Sequence, residues 1–141
     1  MGKHILVPGP INSSLIAEYL DRLSVNKSAG AHSVFLGQIR NDKIDDRTVE
    51  AIEYSAYDDM VEKEAARIKE IIKTAFSDVQ DVVIIHSTGI VRSGELSLFV
   101  MVTAGHRDHA TRACRQTLEM IKESYPVWKK ELFDDDSHQW K

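Results

Sequence analysis

The sequence predicts an α+β fold, and three patterns carry that prediction. Residues 58–76 place Val61, Ala65, Ile68, Ile72 and Ala75 on one side of a helical repeat and charged residues on the other. Arg107 to about Ser124 repeats the pattern with Ala110, Cys114, Leu118 and Ile121, and Pro126 forbids the helix from continuing. Residues 82–87 and 95–104 are apolar runs of strand length, covered on both faces if they fold as strands, with a glycine-bearing connection between them.

The remaining elements follow in order. Residues 4–7 form a short strand, and Asn12 is placed to cap a helix whose stripe is Leu15, Ile16, Tyr19, Leu20 and Leu23. Residues 31–40 and 48–57 then read as strands joined by a polar turn. No internal repeat or low-complexity linker interrupts the chain.

Composition narrows the class further. With 141 residues, 43% hydrophobic content and a formal charge of −4, the chain is long enough for one core and short for two, so residues 1–141 are expected to form one domain. No apolar run approaches the roughly 20 residues that span a bilayer, and the first residues lack a signal pattern, which predicts a cytoplasmic protein without a membrane partner. One cysteine excludes an intrachain disulfide, and the lack of paired Cys or His at ligand spacing argues against a metal. Net acidity disfavours a nucleic-acid partner.

Against that acidity stands a dense cationic stretch. Gly105 reads as the turn after a strand, which puts His106 and Arg107 at a helix N-terminus, where free amides, the helix dipole and a guanidinium fork favour an anion. Lys122 falls in the last turn, where stabilisation of the negative helix end is its ordinary explanation. After Pro126 the chain can fold back, so that Lys122 and Lys129 face one cleft with Trp128 as an apolar wall. Lysines placed together repel each other, and desolvation adds to the loss of charge, making an amine available as base or nucleophile. Cys114 shares its helical phase with Ala110 and Leu118 and is expected to be a buried small hydrophobe.

These residues, with others in fixed order, resemble the large catalytic subunit of molybdopterin synthase over most of the chain. The landmarks are Gly30-Ala31 through Phe35-Leu36-Gly37-Gln38-Ile39-Arg40, Glu53-Tyr54 with Tyr57 and Met60, and His86 with Gly89 and Gly94-Glu95. His106-Arg107 with Ala110, Ala113 and Cys114 follows, then Lys122 and Pro126-Val127-Trp128-Lys129-Lys130-Glu131. Three features depart from the pattern: Thr111 replaces an aromatic residue, residues 41–47 lack a glycine, and Asp134-Asp135-Asp136 replaces a glycine-containing turn. Family members also commonly carry a longer basic tail than the one ending here in Trp140-Lys141.

The resemblance implies a mostly antiparallel sheet packed by helices, of the alpha/beta hammerhead kind. It implies a sulfurtransferase of molybdenum cofactor biosynthesis that needs no cofactor or metal in this step. Sulfur would pass from the thiocarboxylated C-terminal Gly-Gly of a small carrier subunit to cyclic pyranopterin monophosphate, forming the molybdopterin dithiolene. By the same analogy Gln38, Ile39, Arg40, His106, Arg107, Lys129, Lys130 and Glu131 line the pterin site, with Lys122 and Lys129 catalytic. His32, His86, His109 and His138 have no comparable claim. A homodimer with a small subunit at each end, a heterotetramer, is implied, and Arg107 would complete the neighbouring subunit's pocket. The alternative reading is a non-catalytic module that binds a phosphorylated metabolite or a protein tail.

Overall fold

The computed structural model describes residues 5–141. Strand β1 (Leu6–Pro8) leads to helix α1 (Ser13–Asp21), a 3-10 turn at Leu23–Val25, and strands β2 (Ala31–Gln38), β3 (Lys43–Ile44) and β4 (Arg47–Ala56). Helix α2 (Asp58–Ala75), strands β5 (Val79–Arg92) and β6 (Leu96–Ala104), helix α3 (Arg107–Ser124) and strands β7 (Val127–Phe133) and β8 (His138–Trp140) complete it. The sheet runs β2-β6-β5-β4-β7-β8, with β1 beside β5 and β3 beside β4. Every pairing is antiparallel except β1 with β5.

Strand β5 ties the sheet together. Residues 79–86 pair with β6, whereas residues 89–92 pair with β4. The handover falls at Gly89, whose φ of 76° lies in the left-handed region that glycine enters without a Cβ penalty. Gly89 therefore sits inside a strand, where the sequence suggested a connection. The real turn is at Ser93-Gly94, closed by Glu95, whose carboxylate accepts from the Arg92 amide at 2.8 Å.

Alternation along β5 and β6 divides the core into two faces. Val82, Ile84, Val100 and Val102 pack under α2 and α3, against Ile68, Ile72, Ala113 and Ile121. The intervening Ile85, Phe99 and Met101 face the other way, against Leu15, Ile16 and Tyr19 of α1. A third cluster, with Val49, Ile52, Val91 and Phe133, lies under the β4–β7 half. Cys114 is 4% exposed in the first cluster, and burial pushes its thiol pKa up despite a hydrogen bond from Ser33, as expected for a packing residue.

Asn12 caps α1 as expected, its side chain accepting from the Leu15 amide at 2.9 Å. Several boundaries and faces differ from the sequence reading. Of the residue 4–7 strand, position 4 lies outside the described residues, and the strand runs from Leu6 to Pro8. Leu20 and Ala75 are exposed: each sits at the end of its helix, where the apolar stripe has rotated off the sheet. The strands at 31–40 and 48–57 do not pair with each other. β2 pairs with β6 and β4 with β5 and β7, and the polar turn contains the small hairpin β3–β4, turned by Asp45 and Asp46 at positive φ.

Candidate active site

A cavity of about 630 Å³ opens where the end of β2, the last turns of α3 and the start of β7 meet. Gln38, Ile39 and Arg40 reach it from β2 and the residues after it, Lys122 from α3, and Lys129 and Glu131 from β7. Tyr54, His86 and Ser97 enter from the sheet, and Lys141 from the chain end.

Strand periodicity selects which β7 residues take part. Val127, Lys129 and Glu131 share one face and all line the cavity. Trp128 and Lys130 lie on the opposite face. Trp128 packs edge-on against Tyr57 at 5.6 Å, so it is not the wall of the lysine cleft. Lys130 pairs with Glu53 at 3.2 Å and lies over the Trp140 ring, outside the cavity that the resemblance assigned to it.

The mouth is cationic. Lys122 and Arg40 keep contact with solvent, and Arg40 makes a 3.3 Å pair with Asp42, itself on the cavity wall. Lys129 still reaches solvent, yet desolvation by the surrounding walls holds its ammonium below the ordinary lysine range, helped by repulsion from Lys141 and Lys122. The Lys141 amide pairs with the Lys129 carbonyl at 2.9 Å, which brings the chain end to the site. Glu131 is 4% exposed and accepts from Gln139 Nε2 at 3.2 Å.

The interior is polar but carries no cation. Tyr54 donates to Ser97 Oγ at 3.1 Å, and burial raises its phenol pKa, an effect the Ser97 bond partly offsets. His86 stands edge-on to Tyr54, with ring centroids 4.9 Å apart. Its Nδ1 lies 2.7 Å from the Ser87 carbonyl oxygen, which can only accept, so Nδ1 carries the proton. Burial pushes its pKa below the usual histidine value, repulsion from Lys129 adds to this, and the Ser87 bond opposes it.

His106 and Arg107 are at the other end of α3. Fifteen residues separate Arg107 from Lys122, on the order of 20 Å along the helix. The His106 amide and Nδ1 both contact Asp78 Oδ2, at 2.7 and 3.1 Å. Desolvation pushes the Asp78 carboxyl up, but these bonds and one from Gly105 outweigh it and lower the pKa. Gly30 completes this corner, because a Cβ there would collide with the Gly105 carbonyl. Within one chain, therefore, the His-Arg corner and the lysine cavity are separate.

The family model described as MoaE protein matches residues 11–124. The chain belongs to the MoaE family.

A molybdopterin synthase catalytic subunit from Dictyostelium discoideum is 36% identical over 125 residues, covering 87% of this chain and 78% of that protein. The corresponding protein of Drosophila grimshawi is 32% identical over 132 residues, 93% of this chain, but this chain spans only 36% of its length. Among solved structures, a molybdopterin synthase from Staphylococcus aureus superimposes with a TM-score of 0.86 at 30% identity, covering 100% of this chain and 98% of that one. A chain from the complex of subunits 1 and 2 of molybdopterin-converting factor of Helicobacter pylori shares the fold, with a TM-score of 0.79 at 20% identity over 96% of this chain and 88% of that one.

Tyr54, His86, Ser97 and Lys141 line the cavity without having been singled out as site residues from the sequence. For His86 a signal existed, since strand alternation puts it in register with Val82 and Ile84, on the inner face near the β5 handover. Lys141 had none beyond the basic tail that the resemblance implies. Among the described residues no group of His, Cys, Asp or Glu is arranged to hold a metal ion, and no helix is long and apolar enough to cross a membrane.

Proposed function

We propose that this chain is the catalytic subunit of a molybdopterin synthase, residues 1–141 acting as one domain that moves sulfur from a small subunit's C-terminal thiocarboxylate to cyclic pyranopterin monophosphate. The observation that carries this reading is the convergence of Lys122, Lys129 and Lys141 on one cavity, with the Lys129 ammonium lowered by desolvation and by its cationic neighbours.

In this reading the cations hold the phosphate, and Lys122 and Lys129 assist ring opening and proton transfer at the pterin. A lysine whose pKa is lowered holds more free amine near neutral pH, the form that accepts a proton. Phe35, Leu36 and Leu98 form an apolar wall against which the carrier's extended tail would pack. Each transfer makes a carbon–sulfur bond on the pterin and leaves the carrier's C-terminus as a carboxylate, water supplying the oxygen. Because His106 and Arg107 cannot reach Lys122 in their own chain, they would serve the cavity of a second copy in a homodimer, with a small subunit at each end. A cytoplasmic location belongs to the same proposal.

Reconstitution with a thiocarboxylated small subunit and the pterin precursor tests it. Product formation is expected. Tight binding without conversion would overturn the enzyme in favour of a binding module.

A further inference from the structure

The cavity is divided by charge, and the division gives its ligand a direction. At the mouth stand Arg40, Lys122, Lys129 and Lys141. At the base stand Tyr54, His86 and Ser97, each 6% exposed and none cationic as the site is built. The His86 ring has one nitrogen committed: Nδ1 donates to the Ser87 carbonyl, and among the described residues Nε2 has no hydrogen-bond partner. Tyr54 spends its proton on Ser97, which leaves its phenol oxygen as an acceptor. Of the other buried polar groups on the wall, Glu131 already receives Gln139, and the Tyr125 hydroxyl has no partner among the described residues. Nε2 is not one of the buried atoms that lack a partner, so it is open to the cavity; a ligand that covers it must bring a donor, because an acceptor left unpaired on burial is costly.

We propose that His86, with Tyr54 beside it, is a positioning residue that accepts hydrogen bonds from the N–H edge of a flat, uncharged heterocycle while the cationic mouth takes the anionic group. This rests on the sulfur-transfer reading and deepens it. A pterin has such an edge, in the ring N–H and exocyclic amine of its pyrimidine half, and its cyclic phosphate lies at the opposite end. The arrangement fixes which end of the precursor meets Lys122 and Lys129. It also rejects phosphorylated compounds without a donor edge, since their entry would bury Nε2 unpaired.

The base is neutral because burial outweighs the Ser87 bond, and cationic Lys129 reinforces this, so His86 acts as an acceptor near neutral pH rather than as a second anion contact. The edge-on contact with Tyr54 fixes the ring plane.

Calorimetry on the full chain with cyclic pyranopterin monophosphate and, separately, inorganic phosphate tests the inference. His86→Phe keeps a flat ring against Tyr54 but has no acceptor, and it is expected to bind the pterin roughly tenfold more weakly. His86→Gln restores an acceptor and should recover most of the affinity. Inorganic phosphate should bind all three proteins alike. Imidazole nitrogen NMR on the unsubstituted chain gives a readout that needs no variant: the pterin should shift the Nε2 resonance of a neutral, Nδ1-protonated His86, and phosphate should not. Pterin affinity unchanged in a folded His86→Phe, or an Nε2 signal unmoved by saturating pterin, would overturn this inference alone. If the unsubstituted chain does not bind the pterin, the sulfur-transfer reading falls and takes the inference with it.

Discussion

The two ends of helix α3 are equally rich in cationic side chains, yet they are built for different situations. At the N-terminal end His106 engages Asp78, Arg112 pairs with Asp108 at 3.0 Å, and the side chains lie in open solvent. At the C-terminal end Lys122 faces Lys129 and Lys141 around a concave space whose wall also carries Asp42, Glu119 and Glu131; Asp42 pairs with Arg40 and Glu131 accepts from Gln139. Desolvation by the cavity walls lowers the Lys129 pKa, and repulsion from Lys141 and Lys122 adds to it. Cationic density alone does not mark a site; cations brought together around one concave space do. The N-terminal corner becomes comparable only if another subunit brings a cavity to it.

The sharpest way to break the contrast is to remove the charge nearest the proposed chemistry. Lys122→Ala is expected to lower single-turnover sulfur transfer by about 10²- to 10⁴-fold, the range for loss of a positioned proton-transfer group, with folding and small-subunit binding kept. Near-normal turnover would sink its catalytic role. The next effect concerns Lys129. If its free amine is the active form, kcat/KM should rise with pH through a value below the ordinary lysine pKa of roughly 10.4, since deprotonation produces the base. Substituting Lys141 and Lys122 with Gln, singly, should move that limb upward by removing repulsion. A limb that does not move would show that the neighbours do not set it.

How much of this was readable in the residues differs between the two ends. The α3 limits, the apolar faces of α2 and α3 and the pairing of Lys122 with Lys129 were legible, because each depends on local periodicity or on a proline stop. Trp128 and Lys130 were misplaced for a reason that is also local. Once β7 is extended, alternate residues must face apart, and the cluster Trp128-Lys129-Lys130 cannot enter one cleft. The Asp78–His106 contact joins residues 28 apart in sequence, and the β2–β6 pairing that shapes the cavity joins residues as distant as Ala31 and Ala104. Neither leaves a periodic trace. Gly89 was visible as a glycine, but a strand bend and a loop call for the same residue.

An intermediate effect would decide whether the two ends ever meet. Arg107→Ala should weaken precursor binding by roughly 1.5 to 3 kcal/mol if the guanidinium reaches a phosphate in a second subunit's cavity. Mixing Arg107→Ala with Lys122→Ala should then restore activity in the heterodimers that carry one intact site. Absence of recovery after verified subunit exchange, or unchanged affinity in calorimetry, would leave Arg107 a surface residue.

The smallest effect tests the two faces of β7. Lys130 sits on the face away from the cavity, in a partly exposed pair with Glu53 and over the Trp140 ring. A partly exposed ion pair and a solvated cation–π contact together contribute on the order of 1 kcal/mol. Lys130→Ala should therefore lower the melting temperature by a few degrees and leave precursor affinity and turnover near those of the unsubstituted chain. The adjacent Lys129→Ala should do the reverse, losing turnover while removing an unfavourable charge from a crowded, desolvated place. If Lys130→Ala cost as much activity as Lys129→Ala with the fold intact, strand alternation would not be what sorts the two lysines, and the assignment of the β7 faces would be wrong.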